Sequence, residues 1–168
     1  MTGNRRINPP QIDQAPSISI DPLGWVNISL WDSTLGCLVE KKTILVVDNE
    51  ETIRETLLKI LEREGYNVLT AADGQAALEI IHEHKVHLIL SDICMPRIDG
   101  HNLLKQVKTI LPEVEIVLMT GQGKLETGLE ALKEGAFAFI PKPFTKLALN
   151  KTVRKALEKQ ATANSSLP

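Results

Sequence analysis

From Thr43 onward, short apolar runs alternate with longer amphipathic stretches. ILVV (44–47), NVLTA (67–71), HLILS (87–91), EIVLM (115–119) and AFAFI (136–140) have the length and apolar character of buried strands. Between them, TIRETLLKILERE, GQAALEIIHEH, HNLLKQVKTIL and LETGLEALKE place apolar residues three and four apart, the spacing of one helix face. Gly65, Pro112 and Gly135 stand where three of these helices should stop. A fifth helix is expected from about Lys146 to Lys159, followed by ATANSSLP as a frayed tail. Strict alternation of strand and helix implies a parallel sheet with helices on both faces. Ligands of such sheets bind at the carboxyl ends of the strands.

Residues 1–40 break this pattern. They are rich in Pro, Asn, Ser and Asp, yet hold both tryptophans, Trp25 and Trp31. SISIDPLGWVNISL alternates apolar and polar positions around Asp21-Pro22-Leu23-Gly24, which has Pro and Gly where a type I turn favours them. A two-stranded hairpin is marginal by itself. The expected organisation is a disordered or loosely docked extension (1–40), a main domain (41–160) and a disordered tail (161–168).

Composition narrows the class. At 168 residues, 43% hydrophobic and 24% charged, the chain has the size of one soluble domain with additions. A formal net charge of -2 supplies no pull toward nucleic acid or an anionic membrane. No apolar run approaches the ~20 residues that span a bilayer, and the start lacks the apolar core of a signal peptide. A cytoplasmic protein is therefore expected. Two cysteines, Cys37 and Cys94, are too few for a disulfide framework or a four-cysteine zinc site, and are read as reduced thiols.

The strand ends carry the chemistry. The first strand runs into Asp48-Asn49-Glu50, the third into Ser91-Asp92, the fourth into Thr120-Gly121 and the fifth into Lys142-Pro143. Taken singly, Asp48 and Thr120 read as helix caps, Asp92 as a turn residue and Lys142 as a solvated charge. Together they set two carboxylates, a hydroxyl and an ammonium on one rim. A carboxylate can attack phosphorus and hold the phosphoryl group as a mixed anhydride if the growing negative charge is neutralised. Magnesium does so when offered one or two carboxylates beside water and phosphate. In that scheme Asp92 is the nucleophile, Asp48 the metal carboxylate, and Lys142 and Thr120 the phosphate partners.

ILVVDNEETIRETL, ADGQAALEII, LILSDICMPRIDG, VLMTGQG and GAFAFIPKPF resemble, in order and spacing, the receiver domains of two-component response regulators. The resemblance covers about residues 42–158. The stretch VLMTGQGKLETGLEALKEGAFAFIPKPF is most similar to receivers of nitrogen-regulation-type transcriptional regulators. It implies a flavodoxin-like, doubly wound α/β fold with a five-stranded parallel sheet in the order 2-1-3-4-5, as in the chemotaxis receiver. It further implies Asp92 as phosphoacceptor, a Mg2+ site made by Asp48, Asn49, Asp92 and the backbone carbonyl of Cys94, and a cis Lys142–Pro143 peptide. Thr120 and Phe139 become the switch pair, acting on the face formed by the fourth helix, fifth strand and fifth helix. Cys94 and Gln122, each two positions beyond a key residue, fall where the family tunes the lifetime of the phosphoryl group.

Asn49 departs from the family, which has a second acid there. Its amide oxygen still offers a ligand or holds a metal-bound water, but the lost charge should weaken metal binding by an amount on the order of a few kcal/mol at most. Glu50 and Glu51 are expected in the first turn of the first helix, where acids suit its dipole. Gly128 inside the fourth helix costs about 1 kcal/mol relative to Ala. It reads either as loosening an element that must shift or as relieving a packing conflict.

The expected function is a stand-alone receiver, since few residues follow Lys159. It would be phosphorylated by a sensor histidine kinase or a histidine phosphotransfer protein and would act on an unknown downstream protein. It would work without direct contact to nucleic acid or membrane, as a monomer or a phosphorylation-dependent dimer. Ile53, Leu57, Pro143 and Phe144 form the expected kinase-facing patch. The competing readings are a receiver-fold adaptor with a degenerate metal site that works without phosphorylation, and a piece of a longer regulator.

Other motifs are weaker. His82, His84 and His87 are read as ordinary surface histidines, because the first two point to nearly opposite sides of a helix. GQGK (121–124) lacks the length and the following Ser or Thr of a P-loop. A flavin-binding flavodoxin shares the strand order, but DNEE would repel a phosphate. Asn27-Ile28-Ser29 matches a glycosylation acceptor that a cytosolic chain would not use. Val39, just ahead of the first core strand, suits a GTG start codon, which would put residues 1–38 outside the natural protein. Mass spectrometry finding those residues at the native N-terminus would rule that out.

Overall fold

The computed structural model describes residues 18–20, 26–28, 41–121 and 125–164. The chain divides into two units, Met1–Glu40 and Lys41–Pro168. In the first, β1 (Ile18–Ile20) pairs antiparallel with β2 (Val26–Ile28). The turn between them, both tryptophans, Cys37 and Val39 lie outside the described residues, as do Gln122 and the end of the chain after Asn164.

The second unit holds β3 (Thr43–Val47), α1 (Glu51–Arg63), β4 (Asn67–Ala71), α2 (Gly74–Glu83), β5 (Leu88–Asp92), α3 (Gly100–Ile110), β6 (Glu115–Thr120), α4 (Leu125–Lys133), β7 (Ala138–Pro141) and α5 (Lys146–Asn164). Its strands form one parallel sheet in the order β4-β3-β5-β6-β7. Counted within this unit, that is the order 2-1-3-4-5 of the doubly wound α/β fold expected from the sequence.

Alternation along the strands divides the core in two. Leu45 and Val47 of β3 face one way, joining Ile89, Ile116 and Leu118 under α2, α3 and α4. Ile44 and Val46 face the other, with Leu88, Leu90, Val117 and Met119 under α1 and α5. Every residue of β3, β5 and β6 is buried, as a sheet covered on both sides requires. Gly65 (φ 92) and Gly135 (φ 102) follow α1 and α4 in the left-handed conformation that ends a helix at little cost for glycine.

Two expectations are corrected. His82 and His84 are exposed, but His87 is only 2% exposed. Its Nδ1 accepts the Thr43 N–H at 3.0 Å, while the His87 backbone N–H donates to the Thr43 carbonyl at 2.9 Å. The ring thus satisfies an amide at the start of β3 that would otherwise be buried without a partner. α5 continues through Asn164, past Lys159 and into the segment read as a tail. Gln160-Ala161-Thr162-Ala163 holds neither Gly nor Pro to stop a helix, and Gln160 is buried.

The loop after β5 is held tightly against its own strand. A methyl group on Gly100 would stand 2.6 Å from the Asp92 carbonyl oxygen and 2.9 Å from Ile93 Cα, both backbone atoms that cannot swing aside. Gly100→Ala should therefore cost about 1–3 kcal/mol, as overpacking does. Urea unfolding is expected to show a lower midpoint with an unchanged slope; an unchanged midpoint would contradict the close approach.

Candidate functional site

The carboxyl edge of the sheet gathers the residues singled out at the strand ends. Asp48 follows β3 and is fully buried, Asp92 ends β5, and Thr120 ends β6 with 2% exposure. Lys142 directly follows β7. Parallel register makes this convergence unavoidable: Asp92 pairs with Met119 and Thr120 with Pro141, so the strands stop almost level.

Lys142 joins the carboxylates. Its Nζ lies 2.7 Å from Asp48 Oδ2 and 2.9 Å from Asp92 Oδ1. It is therefore no solvated charge, and its side chain is only 19% exposed. Its backbone N–H donates to the Thr120 carbonyl at 2.6 Å, and the peptide that follows, Lys142–Pro143, is cis. Burial alone would push the ammonium toward deprotonation. Hydrogen bonds and the charges of Asp48 and Asp92 outweigh that, so the Lys142 pKa is raised above the ordinary lysine value.

Each carboxylate has a second anchor. Asp48 Oδ1 accepts the Glu50 N–H at 2.9 Å, a local turn two residues on, so Asp48 is not the cap of α1. Glu50 occupies the cap position without a side-chain bond, and Glu51 opens the helix; both are exposed. Asp92 Oδ2 accepts the Cys94 N–H at 2.9 Å. Asn49 is exposed beside this cluster, and so is Cys94.

Two supports escaped sequence reasoning. Arg54 of α1 reaches back to donate to the Asp48 carbonyl at 2.7 Å, fixing the loop that carries Asp48 and Asn49. Asp73 caps α2 by accepting the Ala76 N–H at 3.0 Å and also pairs with Arg97, in the loop after Asp92. Arg97 holds a left-handed φ of 67, unusual for a residue with a side chain. The Asp73 cap was legible as an acid at the start of an amphipathic stretch. Nothing local points to the Arg97 pairing.

The remaining expected residues lie farther out. Ile53, Leu57, Pro143 and Phe144 line, with Thr52, Thr56 and Lys142, a groove of about 560 Å³ between α1 and the start of the loop after β7. Leu57 is 1% exposed, so it makes the floor of the groove and not an accessible patch, because it belongs to the core under α1. Phe139 of β7 is half-buried against α4.

Among the described residues, no three His, Cys, Asp or Glu side chains gather as a ready ligand set for a metal ion. The rim instead presents two carboxylates already drawn around one cation, the Lys142 ammonium. Such hard oxygen donors fit a small divalent ion that keeps most of its water and takes one or two carboxylates. Among the described residues no helix is long and apolar enough to cross a membrane.

Comparison with known proteins finds relatives of this fold. The family model for the response regulator receiver domain matches residues 44–154. The chain is 42% identical over 117 residues to the nitrogen assimilation regulatory protein NtrX of Azorhizobium caulinodans, covering 68% of this chain and 26% of that protein. It is 32% identical over 120 residues to the transcriptional regulatory protein GlrR of Escherichia coli K12, covering 71% of this chain and 27% of that one. The chain thus spans about a quarter of the length of these curated relatives. Among solved structures, the receiver domain of NtrX from Brucella abortus matches with a TM-score of 0.67 at 39% identity, over 68% of this chain and 98% of that one.

The Asp73 carboxyl is held below the ordinary aspartate range, chiefly by the Ala76 N–H, against the opposing effect of burial, and with help from Arg97. A depressed folded-state pKa adds stability that is present above the unfolded value of about 3.9 and lost as pH falls through the folded value. Asp73→Ala should lower the unfolding free energy by roughly 1 kcal/mol at neutral pH, as loss of a cap does. The gap to the parent should narrow below about pH 4, measured by urea unfolding at pH 7 and pH 3. A gap that stays constant would show that the charge of Asp73 contributes nothing.

Proposed function

This chain belongs to the response regulator receiver family, and we propose that it is a phosphorylation-dependent switch whose phosphoacceptor is Asp92. The observation that carries this reading is the Lys142 ammonium seated between the Asp48 and Asp92 carboxylates at the carboxyl edge of the sheet. The donor is a phosphohistidine on a sensor histidine kinase or a histidine phosphotransfer protein. The Asp92 carboxylate attacks phosphorus, the P–N bond breaks, and the imidazole leaves with the electron pair.

Transfer adds negative charge to a rim that already holds two carboxylates, so neutralising it governs the barrier. Lys142 bonds to Asp92 Oδ1 at rest and is in place to exchange that oxygen for a phosphoryl oxygen as the group arrives. The Cys94 N–H steadies the other oxygen of Asp92. Thr120, buried one strand away, donates its hydroxyl to the phosphoryl group. Asp48, Asp92, the carbonyl of Cys94 and the amide oxygen of Asn49 would hold Mg2+, which when bound supplies further charge neutralisation.

Readout runs through the face of α4, β7 and α5. As Thr120 is drawn toward the phosphoryl group, Phe139 takes up the space it leaves, and that face changes shape. α4 exposes Leu129 and Leu132 and α5 exposes Leu147, apolar surface suited to a protein partner. The kinase or phosphotransfer protein approaches the groove beside Lys142, where half-buried Ile53 and Phe144 and exposed Pro143 present apolar surface next to the reacting carboxylate.

Incubation with acetyl phosphate at graded magnesium should label the protein on a phosphate-affinity gel, and Asp92→Ala should remove the label. No label from acetyl phosphate or from a cognate kinase would favour the phosphorylation-independent adaptor instead. Restoring the second acid with Asn49→Asp should lower the magnesium midpoint by on the order of tenfold, the equivalent of roughly 1.4 kcal/mol from one added charge; an unmoved midpoint would remove Asn49 from the metal site. Ile53→Asp should suppress transfer from the kinase while leaving labelling by acetyl phosphate intact. Equal loss of both would mean damage to the site and not to docking.

A further inference from the structure

Gly128, inside α4, is buried, and the Phe139 side chain of β7 lies directly against it. A methyl group built on Gly128 would meet Phe139 Cγ at 2.8 Å, Cδ2 at 2.9 Å and Cδ1 at 3.2 Å. These separations are shorter than carbon atoms tolerate, so the ring in this position and a side chain at 128 exclude one another. Spinning the ring does not help. Rotation about χ2 leaves Cγ where it is, and Cγ makes the closest approach. Only a new χ1 rotamer of Phe139 or a displacement of α4 relieves the overlap. Of the two readings open from sequence, packing accounts for the glycine: the missing Cβ leaves a notch in the helix that receives the ring.

The neighbours limit where a displaced ring can go. Phe139 pairs with Leu118 on β6, and Thr120 lies two residues further along that strand, on the same face. Leu118 belongs to the core under α2, α3 and α4, and Phe139 packs against that core. β7 is the edge strand, with β6 on one side only. A ring leaving the notch either swings over the open edge into water, losing apolar contact, or turns along β6 toward Thr120. The second path keeps the ring buried and requires Thr120, 2% exposed, to shift aside.

We infer that Gly128 is the seat that holds Phe139 in its resting place, and that filling this seat drives the ring toward Thr120 without a phosphoryl group. The inference deepens the switch reading above and rests on it for the roles of Thr120 and Phe139. It makes position 128, which touches neither the phosphoacceptor nor Lys142, the residue that sets the resting balance of the switch. It also orders the events: α4 cannot settle closer to the sheet at this point until the ring has left.

A four-protein thermal cycle tests the seat: the parent, Gly128→Ala, Phe139→Ala and the double variant. Gly128→Ala should lower Tm while Phe139 is present and raise it in the Phe139→Ala background, where only the better helix propensity of alanine remains. The same sign in both backgrounds overturns the seat. Should Gly128→Ala alone leave the domain unfolded, refolding in the double variant supports the seat and failure to refold overturns it. Fluorine NMR on fluorophenylalanine-labelled protein tests the direction of movement, since there are three phenylalanines and Phe139→Ala identifies one signal. In unphosphorylated Gly128→Ala, the Phe139 signal should move most of the way to its position in the acetyl phosphate-treated parent. A signal that stays put, or that moves to the value of a solvent-exposed ring, overturns the inference. A parent that takes no phosphoryl group would sink the reading of Asp92, while the thermal cycle would still decide on the seat.

Discussion

The bridge from Lys142 to Asp48 and Asp92 is the interaction on which the arrangement depends. Two carboxylates, one fully buried and one nearly so, sit at neighbouring strand ends, where their mutual repulsion and loss of water would be costly without a shared cation. Lys142 comes from 94 residues beyond Asp48, so the bridge exists only when β3, β5, β6 and β7 are in register. Each carboxylate also takes one backbone N–H, which fixes its direction. The result is a cluster of two carboxylates drawn around one ammonium.

The scaffold around that bridge is built to keep it still. Core side chains cover both faces of the sheet, leaving its central strands no freedom to slide. Gly100 lets the turn into α3 press on the Asp92 backbone, Arg54 pins the Asp48 carbonyl, and Asp73 ties the loop after β5 to the start of α2 through Arg97. The face of α4, β7 and α5 is made differently. It carries a notch in α4, a half-buried ring on an edge strand, and exposed leucines that no core holds. Rigidity thus surrounds the carboxylates, and exposed apolar surface lies one strand away.

Much of this is legible in the amino-acid sequence. Five apolar runs, four amphipathic stretches and their stop signals lie in the chain as local periodicities, and they placed every strand of the sheet to within two or three residues. Asp48, Asp92, Thr120 and Lys142 were visible for the same reason, since a polar residue at the end of a buried strand stands out from the run before it. The misreadings have a common origin. His87 looked like surface because it precedes an apolar run, yet its ring is claimed by an amide 44 residues away. Lys142 looked solvated when taken singly, and Leu57 looked available to a partner, because burial is a property of what packs from elsewhere. α5 runs longer than expected because the residues after Lys159 lack a helical apolar period, yet Gln160-Ala161-Thr162-Ala163 holds neither Gly nor Pro.

The sequence by itself determined the α/β alternation, the order of strands and helices, and the set of groups delivered to the carboxyl edge, because backbone propensity and hydrophobic period act over a few neighbouring residues. Tertiary structure decided which of those groups touch. It paired Lys142 with both carboxylates, Arg97 with Asp73, and the notch at Gly128 with the ring of Phe139. Each of these pairs joins separate elements across one to several turns of the chain path. Their distances follow from sheet register and helix packing together, and no local pattern encodes them.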